Sequence, residues 1–505
     1  MKYFSPKFKQ LNLDLFRSSL EELNKNNRWV KLGDCLPWTE LEKVYNSKLH
    51  NQKKGAGNKP ARMVLGAMII KHKLNLSDED TIQMIQENPY MQYMCGLEEF
   101  TDSPIFDPSL FVTLRKRISE VDLNELTVYL MNALHHQNEQ SKREEKANDD
   151  QEELPTTKVE DSDAAPFIDS QGNKHQGVLK IDATCADAEM RYPVDVDIIH
   201  DGCRKVSEYI VKICKTFGLR KPHTNYVYAH QIYSQLVKTS KKKGEYVRET
   251  IAQLLRCLRK DINAFMEIVA VGSERFDCLR QYEKRIFSAT VTMYHQQLEM
   301  WRTKSHTCAD RILSIFQPHV RPILRGKAKA KTEFGAKIGA SIVNGYTFID
   351  RHSWDAYNES KDLMLQIQLY QERFGYYPST ILADKIYLNK ANRKILSDLE
   401  INTYCKPLGR PPKAPPSDEQ KAKEVKATGD RNEIEATFGT GKRIYRANNI
   451  RAKLPETARC WTGMCYFAKN VMKFLRELCL VLTEIWHLLA VLYLRQVNIL
   501  YANLR

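Results

Sequence analysis

Paired metal-binding cysteines are missing from this sequence. Its 12 cysteines are scattered over 505 residues, no CxxC pair occurs, and no Cys/His spacing is typical of zinc. A zinc-finger protein is therefore not expected, and the cysteines are predicted to be free thiols in a reducing cytoplasm. The first ten residues are basic but lack the apolar run of a signal peptide.

A long uncharged apolar run is also missing. The nearest approach is residues 478–494, which is short for a membrane span and carries Glu484 and His487 near its centre. We expect a buried or self-associating helix there, within a C-terminal helical segment (residues 451–505), and no membrane association.

Acidic residues are outnumbered by basic ones. The chain has 77 Lys and Arg against 62 Asp and Glu, a net charge of +15. An excess of this size favours a polyanionic partner, most often nucleic acid, although a soluble protein with a charged surface has the same composition.

The N-terminal region, residues 1–135, reads as all-helical. Pro60 is well placed to open a helix over 61–74, and Ser77 with Asp80 predicts a helix start. Arg115 and Arg117 lie on a further helix, with Lys116 between them. A helical DNA-binding domain fits these features, and a plain bundle with a solvated basic face fits them equally.

A polar, highly charged stretch follows at residues 136–176, predicted to be a disordered acidic linker because it has few large apolar groups to bury. Residues 177–450 then read as an α/β domain, with a large basic helical insertion at about 198–320. The other predicted elements are, in chain order, strands 178–184, 334–342 and 346–349, a helix at 361–374, a strand at 379–383, a helix at 390–399, a strand at 401–404, a Pro- and Lys-rich loop at 406–427, and a helix at 431–443. Without the insertion, this order is that of a ribonuclease H-like fold.

Three carboxylates occupy positions where such a fold gathers functional groups. Asp182 is on the first strand, Asp384 ends the fourth strand, and Glu435 is on the closing helix. Two Mg²⁺ ions bound by such carboxylates would activate a nucleophile and stabilise the leaving oxygen in phosphodiester cleavage. Each aspartate alone is weak evidence, because many strand-end aspartates are caps or turn residues.

The closing helix sharpens the prediction. At ~100° per residue, Arg431, Glu435 and Lys442 fall within about 40° of one another, whereas Glu433 points to nearly the opposite side. One helix face thus presents a carboxylate flanked by two cations, suited to a metal ion and its neighbouring phosphates; a solvated helix with ion pairs is the alternative. A nucleotide-binding P-loop is excluded because Ala436 and Arg443 stand where its pattern needs Gly and Ser or Thr.

Arg431-x3-Glu435-x6-Lys442 resembles the Y-x2-R-x3-E-x6-K signature of bacterial insertion-sequence DDE transposases of the IS-four and IS-five groups, with Thr428 at the Tyr position. Residues 180–195, 320–360, 381–387 and 431–443 resemble the catalytic blocks of that family, and residues 59–89 and 106–118 its N-terminal helices.

The resemblance implies a ribonuclease H-like core with Asp182, Asp384 and Glu435 as ligands of two Mg²⁺ ions, for which Mn²⁺ can substitute. It implies binding of double-stranded DNA at terminal inverted repeats, hydrolysis that frees a 3′-OH, and attack of that hydroxyl on target DNA. It also implies a homodimer or higher oligomer in the bacterial cytoplasm, associated with the nucleoid.

The DNA-contacting residues predicted in this framework are basic side chains on the closing helix, before the hairpin and on the N-terminal helix: Arg431, Lys442, Arg443, Arg325, Lys327, Lys329, Arg115 and Arg117. Asp384 follows Asp182 by 202 residues and Glu435 follows by a further 51, so the insertion lies between the first strand and the hairpin. Two alternatives to an active transposase remain: a catalytically inactive DNA-binding relic, and a metal-dependent endonuclease without strand transfer. Glu433 and Asp187 are the replacement candidates if one of the three carboxylates is misassigned.

Overall fold

The fold was analysed in a computed structural model. It describes residues 20, 22–49, 57–147, 166–324, 332–404 and 418–503. The architecture is mixed α/β, with a five-stranded sheet and many helices around it.

Helices form the N-terminal part, as the apolar periodicity predicts. They are α1 (Arg28–Cys35), α2 (Trp38–Ser47), α3 (Ala61–Leu74), α4 (Asp78–Glu87), α5 (Pro89–Met94), α6 (Leu110–Arg117) and α7 (Glu120–Ala147). The Ser77 side chain accepts the backbone N–H of Asp80 at 2.9 Å, so the predicted helix start is confirmed. Asn88 ends α4 and caps α5 by accepting the N–H of Met91.

Ordered structure extends into the predicted linker from both sides. Helix α7 continues to Ala147, and a hairpin forms from β1 (Phe167–Ile168) and β2 (Lys174–His175). His175 is fully buried, stacks on Phe167 and contacts the Asp169 carboxylate at 3.1 Å. The prediction of disorder over 136–176 is therefore wrong for the ends of that stretch, and residues 148–165 lie outside the described chain.

The central sheet is built around β3 (Val178–Asp187). The other strands are β4 (Arg321–Leu324), β5 (Thr332–Val343), β6 (Tyr346–Ser353) and β7 (Thr380–Leu382). Strand β3 pairs antiparallel with β5 on one side and parallel with β7 on the other, while β4 and β6 pair antiparallel with β5. Asn344 and Gly345 connect β5 and β6 with φ of +50° and +77°, which confirms the predicted two-residue turn.

Helices follow the hairpin and β7 as predicted. They are α13 (Leu363–Phe374), α14 (Lys390–Asp398) and α15 (Asp418–Ile444). Helix α15 starts well before residue 431, so residues 418–427 are helical rather than part of a loop. The strand predicted at 401–404 is reduced to a single parallel bridge from Asn402 to Thr380.

The insertion between β3 and β4 is helical, as predicted. It comprises α8 (Asp195–Thr216), α9 (Tyr226–Lys238), α10 (Gly244–Ala270), α11 (Ser273–Asp277) and α12 (Gln281–Thr303). These helices enclose a hydrophobic cluster of their own, centred on residues such as Ile210, Leu258 and Phe265. The insertion is therefore a helical body with a separate core.

The N-terminal helices and the sheet share one hydrophobic core, which also includes the long helix α16 (Pro455–Asn503). Two asparagines hydrogen-bond to the backbone N–H and C=O groups on the outer edge of β6 at this junction. Asn124 of α7 accepts from the N–H of Ile349 at 3.0 Å and donates to its carbonyl at 2.7 Å, and Asn470 of α16 makes the same pair of bonds with Thr347. Over the described residues, none of the helices is apolar enough for long enough to cross a membrane.

Replacing Asn124 with Ala should destabilise the fold by about 2–3 kcal/mol, because the N–H and C=O of Ile349 would stay buried without partners. The exposed Asn132→Ala change on the same helix should stay within about 0.5 kcal/mol of wild type. Urea unfolding measures both, and equal midpoints for the two variants would contradict this role for Asn124.

Candidate active site

The sheet register sets two predicted carboxylates side by side. In the parallel pair, Lys180 of β3 lies opposite Leu382 of β7. Asp182 and Asp384 each follow that pair by two residues, and neighbouring strands are about 4.8 Å apart. The register therefore brings the segments that carry the two aspartates together, although 202 residues separate them in sequence.

Helix α15 is tied to β3 by an ion pair. The Lys180 ammonium lies 2.6 Å from the Glu433 carboxylate, and Lys180 shares a strand face with Asp182. Glu433 and Glu435 point to nearly opposite sides of the helix. Because Glu433 is engaged with Lys180, Glu435 is directed away from it and is largely exposed.

Arg431 connects the second and third carboxylates. One guanidinium nitrogen lies 2.9 Å from Asp384 and another 3.7 Å from Glu435. The Arg431 side chain is 28% exposed, against 55% for Asp384 and 62% for Glu435. The cation predicted from the helix face thus bridges two members of the predicted triad.

Asp182 is the least solvated of the three, and its pKa is raised to about 6. Burial is the main cause, opposed by a bond from the Ala183 N–H, and the negative charges of Glu359, Asp384 and Glu435 raise the pKa further. All three predicted carboxylates therefore lie within electrostatic reach of one another, together with a fourth, Glu359, that the sequence analysis did not single out.

This charge arrangement suits a divalent cation in its chemistry. Carboxylate oxygens are the ligands that Mg²⁺ prefers, and a cation would relieve the repulsion felt by Asp182. Within the described residues, however, no three His, Cys, Asp or Glu side chains are gathered closely enough to hold a metal ion. In this arrangement Arg431, rather than a shared ion, joins Asp384 to Glu435.

A shallow cavity of about 200 Å³ adjoins these residues. Asp384, Arg431 and Thr428 all line it, together with residues of the 403–404 segment. Thr428 holds the position of the signature Tyr, so this position faces the cavity even though the aromatic ring is absent.

The replacement candidates lie elsewhere. Glu433 is engaged by Lys180, and Asp187 is five residues beyond Asp182 on β3, roughly 16 Å away at the usual strand rise. Asp187 pairs with Gly335 near the start of the insertion. Neither replaces a member of the predicted triad in this geometry.

The predicted DNA-contacting residues lie in different surroundings. Lys442 and the exposed Arg443 lie in the last turn of α15. Arg115 is buried and its guanidinium makes two bonds to Asp78, at 2.9 and 2.7 Å, so the prediction that it contacts DNA is wrong. Arg117 is partly buried and bonds to the Tyr45 hydroxyl, while Arg325, Lys327 and Lys329 lie outside the described residues.

Two family models match the chain. "Transposase domain (DUF772)" matches residues 18–117, and "Transposase DDE domain" matches residues 381–472, which includes Asp384 and Glu435. Both models describe transposase domains, and these matches agree with the resemblance to insertion-sequence DDE transposases found in the motifs. They do not distinguish between the IS-four and IS-five groups.

One curated relative is similar to the chain over a shorter stretch. It is the "Uncharacterized protein ORF8 in nfe locus" of Rhizobium meliloti, 32% identical over 114 residues. The match covers 22% of this chain and 54% of that protein, so the chain spans about half the length of the curated relative that it matches. No solved structure matches the chain.

In metal-free protein, Asp182→Asn should raise stability at pH 7.5 by about 2 kcal/mol, allowing for partial solvent exposure. The pKa of Asp182 is raised on folding. The contribution of protonated Asp182 to stability is therefore fully present at low pH and is lost as the pH rises from about 4 to about 6. The gain should therefore vanish at pH 4. Urea unfolding in EDTA at both pH values measures it.

Asp384→Asn is the matched control for this experiment, because that side chain is more than half exposed and pairs with Arg431. We expect no comparable gain at pH 7.5. An Asp182→Asn variant that is less stable than wild type at pH 7.5 would contradict the electrostatic cost assigned to Asp182.

Proposed function

We propose that this chain is an active transposase that binds terminal inverted repeats, hydrolyses the DNA at the element ends and transfers the freed 3′-OH ends into target DNA. The observation that carries the proposal is that Asp182 of β3, Asp384 just after β7 and Glu435 of α15 lie within electrostatic reach of one another, with Arg431 bridging Asp384 and Glu435.

The strand order supports a ribonuclease H-like core. From one edge, the sheet runs β6, β5, β3 and β7, followed by the parallel bridge at Asn402. Three antiparallel strands are thus followed by parallel additions, with Asp182 within β3, Asp384 just after β7 and Glu435 on the closing helix. We also propose that the chain belongs to the IS-four or IS-five group. In this proposal it is divided into an N-terminal part, a catalytic part (residues 177–450) and a C-terminal part.

The proposed chemistry assigns separate tasks to the side chains. Asp182, Asp384 and Glu435 would hold two Mg²⁺ ions, which supply charge neutralisation for the attacking and leaving oxygens. Arg431 already lies between two of these carboxylates and, with Lys442, is suited to pairing with phosphates of the DNA near the cut. Water then attacks the phosphodiester at the element end, and the 3′-OH that leaves is the nucleophile for the target strand.

Binding of DNA follows from the net charge of +15 and is proposed to use Lys442, Arg443 and Arg117 from the described residues. We propose a homodimer or higher oligomer as the acting form, since two transposon ends must be handled together. The protein would then act at the nucleoid of a bacterial cytoplasm.

The test is cleavage and joining of a plasmid carrying the element ends that flank this gene, with Mg²⁺ or Mn²⁺. Wild type should nick at the ends and join them to target DNA. Asp182→Asn, Asp384→Asn and Glu435→Gln should bind the same DNA but lose both activities by about 10³-fold or more, because each removes a charge that the transition state needs.

Asp187→Asn, on the same strand as Asp182, is the control and should keep both activities. A triad variant with full activity would show that residue to be misassigned. Wild-type protein that binds the ends without cutting would identify a DNA-binding relic, and cutting without joining would identify an endonuclease.

A further inference from the structure

Three cations lie together on the outer face of α10, in the helical insertion. Arg256, Arg259 and Lys260 are all exposed, and none of them makes an ion pair with another described residue. At ~100° per residue they span about 100° of the helix surface, on the side opposite the buried face of α10. They therefore form one compact basic patch, which rises only about 6 Å along the helix axis.

The sequence of α10 offers this patch no acidic partner at helical spacing. Side chains three or four residues apart are neighbours on a helix, and Arg256 has Arg259 and Lys260 in those two positions. The other such positions around the three cations hold uncharged residues. The nearest acidic residues on the same face are Glu249 and Glu267, each seven residues from the patch, or about 10 Å along the axis. Like charges at this spacing destabilise a helix, so the patch costs stability when nothing binds it.

Cations on other helices of the insertion are neutralised by carboxylates. On α8, Arg204 and Lys205 lie 3.3 and 2.6 Å from the Glu208 carboxylate. On α12, Lys284 lies 2.6 Å from Asp277. The unpaired cations of α10 are therefore a feature of that face and not of the insertion as a whole.

A second basic segment is fixed beside this patch. The connection between α8 and α9 is held on α10 by Asn225, which donates to the Asp261 carboxylate through its backbone N–H at 2.9 Å and its side chain at 2.7 Å. Asp261 follows Lys260 but is fully buried, so its charge is used inside the fold. Arg220 and Lys221 are both exposed and, among the described residues, make no ion pair. The connection thus adds two further cations within a few residues of the same turn of α10.

The surroundings of the patch fit a polyanion better than a protein. Over residues 252–263, the exposed face of α10 carries no large apolar side chain. Protein interfaces are centred on apolar and aromatic side chains, whereas DNA interfaces are polar and strongly basic. The insertion continues directly from β3, the strand that carries Asp182. It is therefore the neighbouring body for duplex DNA bound at the proposed catalytic centre.

We propose that this face of the helical insertion binds the phosphate backbone of the duplex that carries the element end, outside the segment that is cut. Arg256, Arg259 and Lys260 supply the main contacts, and Arg220 and Lys221 extend them. The inference rests on the proposed function, because it adds a DNA-binding surface to the same protein. Contacts to phosphates carry no sequence information, so this surface adds affinity without adding sequence preference.

The experiment measures binding of the full chain to a duplex of about 60 base pairs with the element end at its centre, in EDTA and over a range of salt concentrations. The triple variant Arg256→Gln/Arg259→Gln/Lys260→Gln should bind about tenfold or more weakly than wild type at about 0.1 M salt. Its plot of log K against log salt should be shallower by about 2–3, since each phosphate contact contributes about 0.9 to the slope. Its urea midpoint should be no lower than that of wild type, because like charges are removed.

The matched control is Arg204→Gln/Lys205→Gln/Lys284→Gln, which removes three positive charges from the same helical body. These cations already have carboxylate partners, so its affinity should stay within about threefold of wild type, with the salt slope unchanged. Equal losses of affinity by the two triple variants would attribute the effect to net charge and contradict the proposed surface. Should the patch variant fail to fold, the single change Lys260→Gln decides, because affinity equal to that of wild type contradicts the proposal.

The remaining outcomes separate this surface from the proposed function. Wild type that does not bind the element end contradicts the proposed function itself. If the patch variant binds the end like wild type but joins it to target DNA less efficiently, the surface serves target DNA and the proposal is overturned. A patch variant that keeps its DNA affinity but changes its oligomeric state in sedimentation would show that the face binds a second copy of the chain.

Discussion

The pairing of β3 on both of its edges is the constraint on which the rest of the structure depends. Its antiparallel partner β5 and its parallel partner β7 leave β3 no freedom to slide, since a slip of one residue would turn Asp182 to the other face. The same register sets Leu382, two residues before Asp384, beside Lys180, two residues before Asp182. Helix α15 then joins through Lys180 and Glu433, so Glu435 takes its position from the strand that carries Asp182.

Three of the four carboxylates discussed above are paired with a cation, and the fourth, Asp182, is not. Arg431 serves Asp384 and Glu435, Lys337 serves Glu359, and Asp182 is left with burial and the repulsion of its neighbours. The raised pKa of Asp182 measures what that arrangement costs the fold.

The site residues that could be predicted are those marked by the sequence immediately around them. Asp182 and Asp384 adjoin apolar strands, and Glu435 shares a helix face with Arg431. Glu359 was missed because a glutamate at the start of a helix is ordinarily a capping residue, and its pairing with Lys337 joins elements that only the folded sheet brings together. Arg115 was misjudged for a similar reason, because nothing in a basic helix reveals that Asp78, 37 residues earlier, will bury it.

The prediction of a disordered linker was wrong at its ends because the polar composition of this stretch gives no sign of the few contacts that order it. His175 is polar by type, yet it packs between Phe167 and Tyr377 and so anchors the hairpin on the segment that leads to β7. The helical insertion was located correctly because helical periodicity is local. Its exit and return on either side of β5 were not predictable, since they depend on how the strands pair.

That exit and return explain why so long an insertion leaves the proposed centre intact. Asp187, at the end of β3, and Arg321, at the start of β4, both pair with Gly335 of β5, one from each side. The insertion therefore leaves and re-enters the sheet at points only about 10 Å apart, two strand spacings. Because its helices bury their own core, it adds little closure cost beyond joining those points. It departs from the end of β3 remote from Asp182, so its length cannot pull Asp182 away from Asp384.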